Sequence, residues 1–375
     1  MARPEYIDTL LAQASAPKKP AYLKRKHDEP AIEVNNIVSK AATLYERLRY
    51  AVDYQEEHLL RRSALERMLK RKLTINLKDD NIARSLICEL IRANYVPNEQ
   101  IPERIADSVQ DIINKYLTLL KRLDEDKKII PGQSPYWNKA MRLAASEIEE
   151  FLFPQTTENS TVNAFYASVK NRLQSQDDTY TVNEQHIQTY IACNRGLLRS
   201  DEPSLYYKLF IIYYPDWQGN ASRELLADVA EHFKTVDDSI QSHLEDQLSW
   251  QIGAKIKNYS IYFGIIKELL DAYGKNCSEI FNDKELLAEA IKEHTNKKYA
   301  QINKRIKKST VRAIIYIFFT KIILALLIEL PYDLWIIKEK HYVPLFINIL
   351  FHPLLLYLIT RSIAIDTEKN TDHII

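Results

Sequence analysis

Two apolar runs near the C-terminal end constrain this chain more than any other feature. The first, VRAIIYIFFTKIILALLIEL, covers residues 311–330. About twenty helical residues cross the roughly 30 Å hydrocarbon core of a bilayer, so it is long enough to span one. Pro331 follows, then a mixed polar and aromatic stretch, PYDLWIIKEKHYVP. The second run, PLFINILFHPLLLYLIT, covers residues 344–360 and sits at the short limit for a span. Residues 311–360 therefore read as a two-span transmembrane helical hairpin. Tyr332, Trp335 and Tyr342 surround its connection, and Tyr316 and Tyr357 are equidistant from a midpoint between residues 336 and 337. All five then fall at headgroup level, where aromatic side chains collect.

Charge sets the expected orientation. Lys297, Lys298, Lys304, Arg305, Lys307, Lys308 and Arg312 precede the first span, Arg361 follows the second, and the connection carries only Lys338 and Lys340. The positive-inside rule places both termini and the bulk of the chain in the cytoplasm, at a plasma or inner membrane. The same basic cluster is expected to attract anionic lipid, each cation contributing about 1 kcal/mol near the surface.

Lys321 lies inside the first run, about 15 Å deep at 1.5 Å per residue. An ammonium at that depth costs roughly 2.5–3.5 kcal/mol, which the surrounding Ile, Leu and Phe offset. Asn348 and His352 on the second run come near the same depth and are the expected hydrogen-bond partners. A competing reading folds residues 311–360 into a buried hairpin of a soluble protein, and the polar Lys321, Glu329, Asp333, Asn348 and His352 favour it.

The rest of the chain reads as all-α. It has 6 glycines in 375 residues, no two closer than ten positions, so neither a P-loop nor a dinucleotide-binding loop can be written. Residues 1–33 are expected to be a disordered basic, proline-containing tail. Residues 34–280 form an elongated helical cytoplasmic domain, 281–310 a basic juxtamembrane helix, and 361–375 a polar tail. Val34, Val38, Ala41, Tyr45, Leu48 and Val52 step by four and three, a heptad stripe suited to internal packing or self-association. Further helices are expected at 80–94, from Pro102, from Ser134-Pro135 to Pro154, and at 160–175, 182–198, 220–250 and 253–273. Tyr206, Phe210, Tyr213, Tyr214 and Trp217 make an aromatic segment read as core.

Little in the sequence points to chemistry. Lys and Arg total 51 against 50 for Asp and Glu, a net charge of +1 that gives no global pull toward nucleic acid. Cys88, Cys193 and Cys277 form no CxxC pair, and residues 1–20 hold no signal-peptide-like apolar run. Asp228, His232 and His243 share a helix face. The two histidines are about 16 Å apart along the axis, too far to share an ion. The pairs Glu149-Glu150 and Asp237-Asp238 read as solvated faces. No catalytic residue, metal ligand or cofactor is expected. The leading reading is a membrane-anchored scaffold or interaction protein whose partners are the lipid bilayer and another protein or its own copy. The alternatives are an oligomeric pore using Lys321, Asn348 and His352, and a membrane tether for nucleic acid or ribosomes through the basic segments.

Overall fold

The structure is a computed structural model that describes residues 4–15, 20, 29–34, 57–77, 81–124, 130–173, 180–332, 335 and 342–362. These fall into two compact units, Met1–Lys275 and Asn276–Ile375. The described residues are helical almost throughout, and their single β-type pairing is an isolated bridge between Ala31 and Pro102.

The first unit holds ten α-helices among its described residues. In order they are α1 (Glu5–Ser15), α2 (Glu57–Ile75), α3 (Ile82–Arg92), α4 (Glu103–Leu123), α5 (Trp137–Leu152), α6 (Thr156–Val169), α7 (Val182–Leu198), α8 (Glu202–Tyr213), α9 (Arg223–Glu245) and α10 (Leu248–Tyr273). A 3₁₀ turn, Pro215–Trp217, follows α8. Local chemistry explains most boundaries. Pro102 sits at the N-cap of α4, where its missing N–H costs nothing. Thr181 and Glu184 form a reciprocal capping box at the start of α7. α5 begins at Trp137 after turns that include Ser134 and Pro135, and it ends ahead of Pro154.

α2, α3, α4, α5, α8 and α9 share one core, filled by Leu65, Leu69, Leu86, Tyr116, Ile148, Phe210, Trp217 and Phe233. The aromatic segment is thus core as expected, apart from Tyr213, which is exposed. α10 packs along α7 and α6, with the rings of Phe165 and Phe263 stacked at 4.9 Å. α1 lies on α6 and buries Leu10, Leu11 and Ala14. That is a correction to the disordered tail. The prolines and lysines of residues 17–30 dominate its composition, but Glu5–Ser15 carry an apolar face sufficient to dock. Ile32 is buried too, its N–H donating to the Ile101 carbonyl at 2.9 Å. Within the heptad stripe, Val34 is buried in the core, whereas Val38, Ala41, Tyr45, Leu48 and Val52 lie outside the described residues.

A polar network pins the segment after α8. Lys115 of α4 donates to Glu147 Oε1 of α5 at 2.6 Å, to the Trp217 carbonyl at 2.7 Å and to the Gly219 carbonyl at 3.0 Å. Tyr116 OH donates to Glu147 Oε2 at 2.8 Å and accepts from Trp217 Nε1 at 2.9 Å. The Gly219 N–H returns to Glu147 Oε1 at 3.2 Å from a left-handed φ of 81°, a conformation glycine takes freely. All three ammonium N–H groups and both carboxylate oxygens are satisfied inside the core.

The second unit contains α11 (Cys277–Asn282), α12 (Lys284–Leu324) and α13 (Tyr342–Ser362). Asp283 caps α12 by accepting from the N–H groups of Glu285 and Leu286. α12 continues through a π-helical turn, Ala325–Glu329, into a last α-turn, Leu330–Tyr332. The result is one helix of 49 residues, Lys284–Tyr332, long and apolar enough to cross a membrane. The apolar stretch of α13, Phe346–Arg361, is shorter and contains Pro353. α13 packs along α12, yet only 6% of the most apolar window of the long helix is buried.

Candidate functional site

The C-terminal helices carry most of the residues singled out from sequence. Tyr316, Tyr332, Trp335 and Tyr357 are all exposed, and Tyr342 opens α13. The cations Lys297, Lys298, Lys304, Arg305, Lys307, Lys308 and Arg312 project from the solvent-exposed part of α12, Lys297 pairing with Glu293 one turn back. Lys321 is half-buried and has no hydrogen-bond or ion-pair partner among the described residues. Asn348 does not reach it; its Nδ2 donates to Glu329 Oε1 at 2.7 Å. His352 Nδ1 lies 3.4 Å from the Asn348 carbonyl, within its own helix. The Glu329–Asn348 bond puts the midpoint of the helix pair between residues 338 and 339, two residues beyond the one set by Tyr316 and Tyr357. Each residue of α12 therefore faces α13 about one turn later than symmetric aromatics imply, and the partner of Lys321 moves past His352. Replacing Lys321 with Leu is expected to ease insertion of this helix by about 2.5–3.5 kcal/mol. A glycosylation-tag insertion assay measures it, and equal insertion of the two sequences would show that Lys321 does not sit at mid-depth.

A second polar locus was not legible in the sequence. It lies in the first unit, between α2, α5, α6 and α8. Arg62 of α2 is 5% exposed; it donates to Asp201 Oδ2 at 2.7 Å and to Glu66 Oε2 at 3.1 Å. Asp201 is simultaneously the N-cap of α8, accepting from the Ser204 N–H at 3.1 Å. Arg61 binds Glu149 Oε1 through two nitrogens, at 3.1 and 3.3 Å, and stacks 4.4 Å above the Phe153 ring. Gln155 donates to the other Glu149 oxygen at 2.9 Å. Lys208 of α8 donates to Asn159 Oδ1 at 2.6 Å. Arg62, Glu149, Gln155, Asn159 and Lys208, with His58, Ser146 and Ser200, line a small cavity of about 30 Å³. An adjoining cleft of about 350 Å³ shares His58 and Gln155 with it.

Burial dominates the electrostatics here. It raises the Glu149 carboxyl to about 7, against the opposing pull of Arg61 and Gln155. It lowers the His58 imidazole to about 4, helped by the positive charges of Arg61 and Lys208. It also depresses the Lys208 ammonium, although Glu150, Glu158 and Glu149 pull the other way. Glu149 is 4% exposed, and Asp237 is 6% exposed, holding Tyr206 OH at 2.8 Å together with Lys139. Both contradict the reading of their acidic pairs as solvated faces. Adjacent residues on a helix point about 100° apart, so one member of each pair turns inward.

The thiols of Cys88, Cys193 and Cys277 are free and buried. Burial pushes Cys193 up to about 12 and Cys277 to about 11, which keeps both protonated and unreactive. His232 pairs with Asp228 at 3.1 Å one turn away. Among the described residues, no three His, Cys, Asp or Glu side chains converge as metal ligands would. No protein-family model, no curated protein and no solved structure matches the chain.

Proposed function

We propose that this protein is a membrane-anchored helical scaffold: a cytoplasmic helical domain held at a bilayer by a C-terminal two-span hairpin, offering its surface to a protein partner or a second copy. The observation that carries this reading is the long helix of the second unit, apolar over a span-length window of which only 6% is buried. Side chains such as Phe319, Leu327, Phe346 and Leu354 are more than half exposed along both helices. So large an apolar surface is costly in water and is matched by lipid. The cations on the polar part of α12 sit where anionic headgroups would meet them. The buried ion-pair networks of the first unit suit a rigid binding platform.

The test is to express the chain with and without residues 309–375 and to fractionate the cells. The full-length chain is expected in the membrane pellet after alkaline carbonate, with the truncated chain in the supernatant or poorly accumulated. Full-length protein that carbonate releases would overturn the anchor. A tag in the 333–341 connection is expected to be reachable only from the side opposite both termini. Labelling from the same side would replace two spans with one embedded hairpin.

A further inference from the structure

We propose that the small cavity between α2, α5 and α8 is a binding site for the carboxylate of a small carboxylic acid, a site that goes beyond anchoring and does not depend on it. Three side chains more than nine-tenths buried line this cavity and carry polar atoms that have no hydrogen-bond partner among the described residues: Arg62 Nε, Ser146 Oγ and Ser200 Oγ. They come from α2, α5 and the turn between α7 and α8, so three separate segments aim polar atoms at one space. Leaving such atoms unpaired is costly, and a ligand that pairs them recovers the loss.

Donor chemistry identifies the ligand. A guanidinium Nε–H only donates, and an ammonium only donates. Lys208 has three N–H groups and spends one on Asn159; no carboxylate lies within ion-pair distance of it among the described residues. The two hydroxyls add donors that can rotate toward an acceptor. An occupant must therefore be rich in acceptors, and a negative charge would match Lys208. The carboxylates on the wall are already engaged: Glu149 by Arg61 and Gln155, Glu150 by Asn159 and Gln218. They close off that side of the cavity and favour a singly charged head over a doubly charged one.

Size narrows the choice. One water needs roughly 10–15 Å³ of such space, so about 30 Å³ admits two oxygen-sized positions. A planar carboxylate presents two; a phosphate presents four. The rest of the acid has room in the adjoining cleft of about 350 Å³ that His58 and Gln155 also line.

The test uses the full-length protein in detergent, with thermal unfolding followed in sodium acetate, sodium phosphate and sodium chloride at equal ionic strength. Acetate is expected to raise the unfolding midpoint saturably above chloride. Joint replacement of Ser146→Ala and Ser200→Ala should weaken half-saturation by about tenfold or more, and Lys208→Met should abolish it. If Lys208→Met does not fold, the serine pair decides. An acetate response equal to chloride, or one unchanged in the variants, overturns the site and leaves the cavity to water. A phosphate response stronger than acetate overturns the carboxylate assignment. Release of the chain from membranes in the fractionation test would leave all of these outcomes as they stand.

Discussion

Replacing Lys115 with Met is expected to destabilise the folded chain by about 3–5 kcal/mol, the usual cost of stranding one member of a buried ion pair. The substitution keeps most of the side chain's volume, so the loss is not a cavity effect. It leaves Glu147 Oε1 with only the Gly219 N–H, and it strips the donor from the Trp217 and Gly219 carbonyls. Adding Glu147→Gln should recover roughly half of the loss, because the amide oxygen still accepts from Tyr116 or Gly219 and no charge is left buried. The measurement is the urea midpoint of the full-length protein in detergent, followed by tryptophan fluorescence, since Trp217 belongs to the network. A loss below about 1 kcal/mol for Lys115→Met would mean that water enters the network and that it does not hold the turn after α8.

The second large effect is a pair of opposing pH dependences at the cavity. Glu149 is raised from an ordinary 4.5 to about 7 in the folded chain. Its contribution to stability is complete below the unfolded value and is lost as pH rises through 7. His58 is lowered from 6.5 to about 4. Its contribution is complete above 6.5 and is lost as pH falls through 4. Each shift corresponds to a swing on the order of 3 kcal/mol. The windows overlap and the signs oppose, so the two nearly cancel between pH 4 and 7. Removing either one exposes the other. Relative to the parent chain, His58→Gln is expected to gain stability on acidification from pH 7 to 4.5, whereas Glu149→Gln loses it over the same range. Urea midpoints at pH 7.5, 6 and 4.5 provide the comparison. Profiles for both variants that run parallel to the parent's would show that neither group is shifted by burial.

The sequence carries some of this architecture openly and hides the rest for identifiable reasons. Helix periodicity, the prolines at 102, 154 and 215, and the aromatic run around Phe210 sit in contiguous stretches, so the helices and much of the core follow from local pattern. α1 escaped because the three side chains it buries, Leu10, Leu11 and Ala14, are outweighed by the charged, proline-rich segment behind them. The cavity escaped for another reason: His58, Ser146, Glu149, Ser200 and Lys208 are drawn from segments scattered over 150 positions, and no spacing rule links them. Arg61 and Arg62 belong to the cation-rich stretch of residues 61–72, whose charges taken locally suit a helix C-terminus. They lie instead in the first half of α2, facing acids from α5 and the start of α8. The candidate partners of Lys321 were placed by assuming mirror symmetry about the aromatics, and the Glu329–Asn348 bond breaks that symmetry.

The unbroken run from Lys284 to Tyr332 has a mechanical corollary. At 1.5 Å and 100° per residue, a rod of 49 residues is about 73 Å long and behaves as a screw. Adding one residue between Lys304 and Lys321 would turn the two side chains by about 100° relative to one another as well as moving them about 1.5 Å further apart. Spacing and azimuth are thus tied together, and a turn of the basic stretch about the axis is carried rigidly to the Lys321 ammonium. Only beyond the π-helical turn at Ala325–Glu329, where the pitch changes, does the thread slip phase.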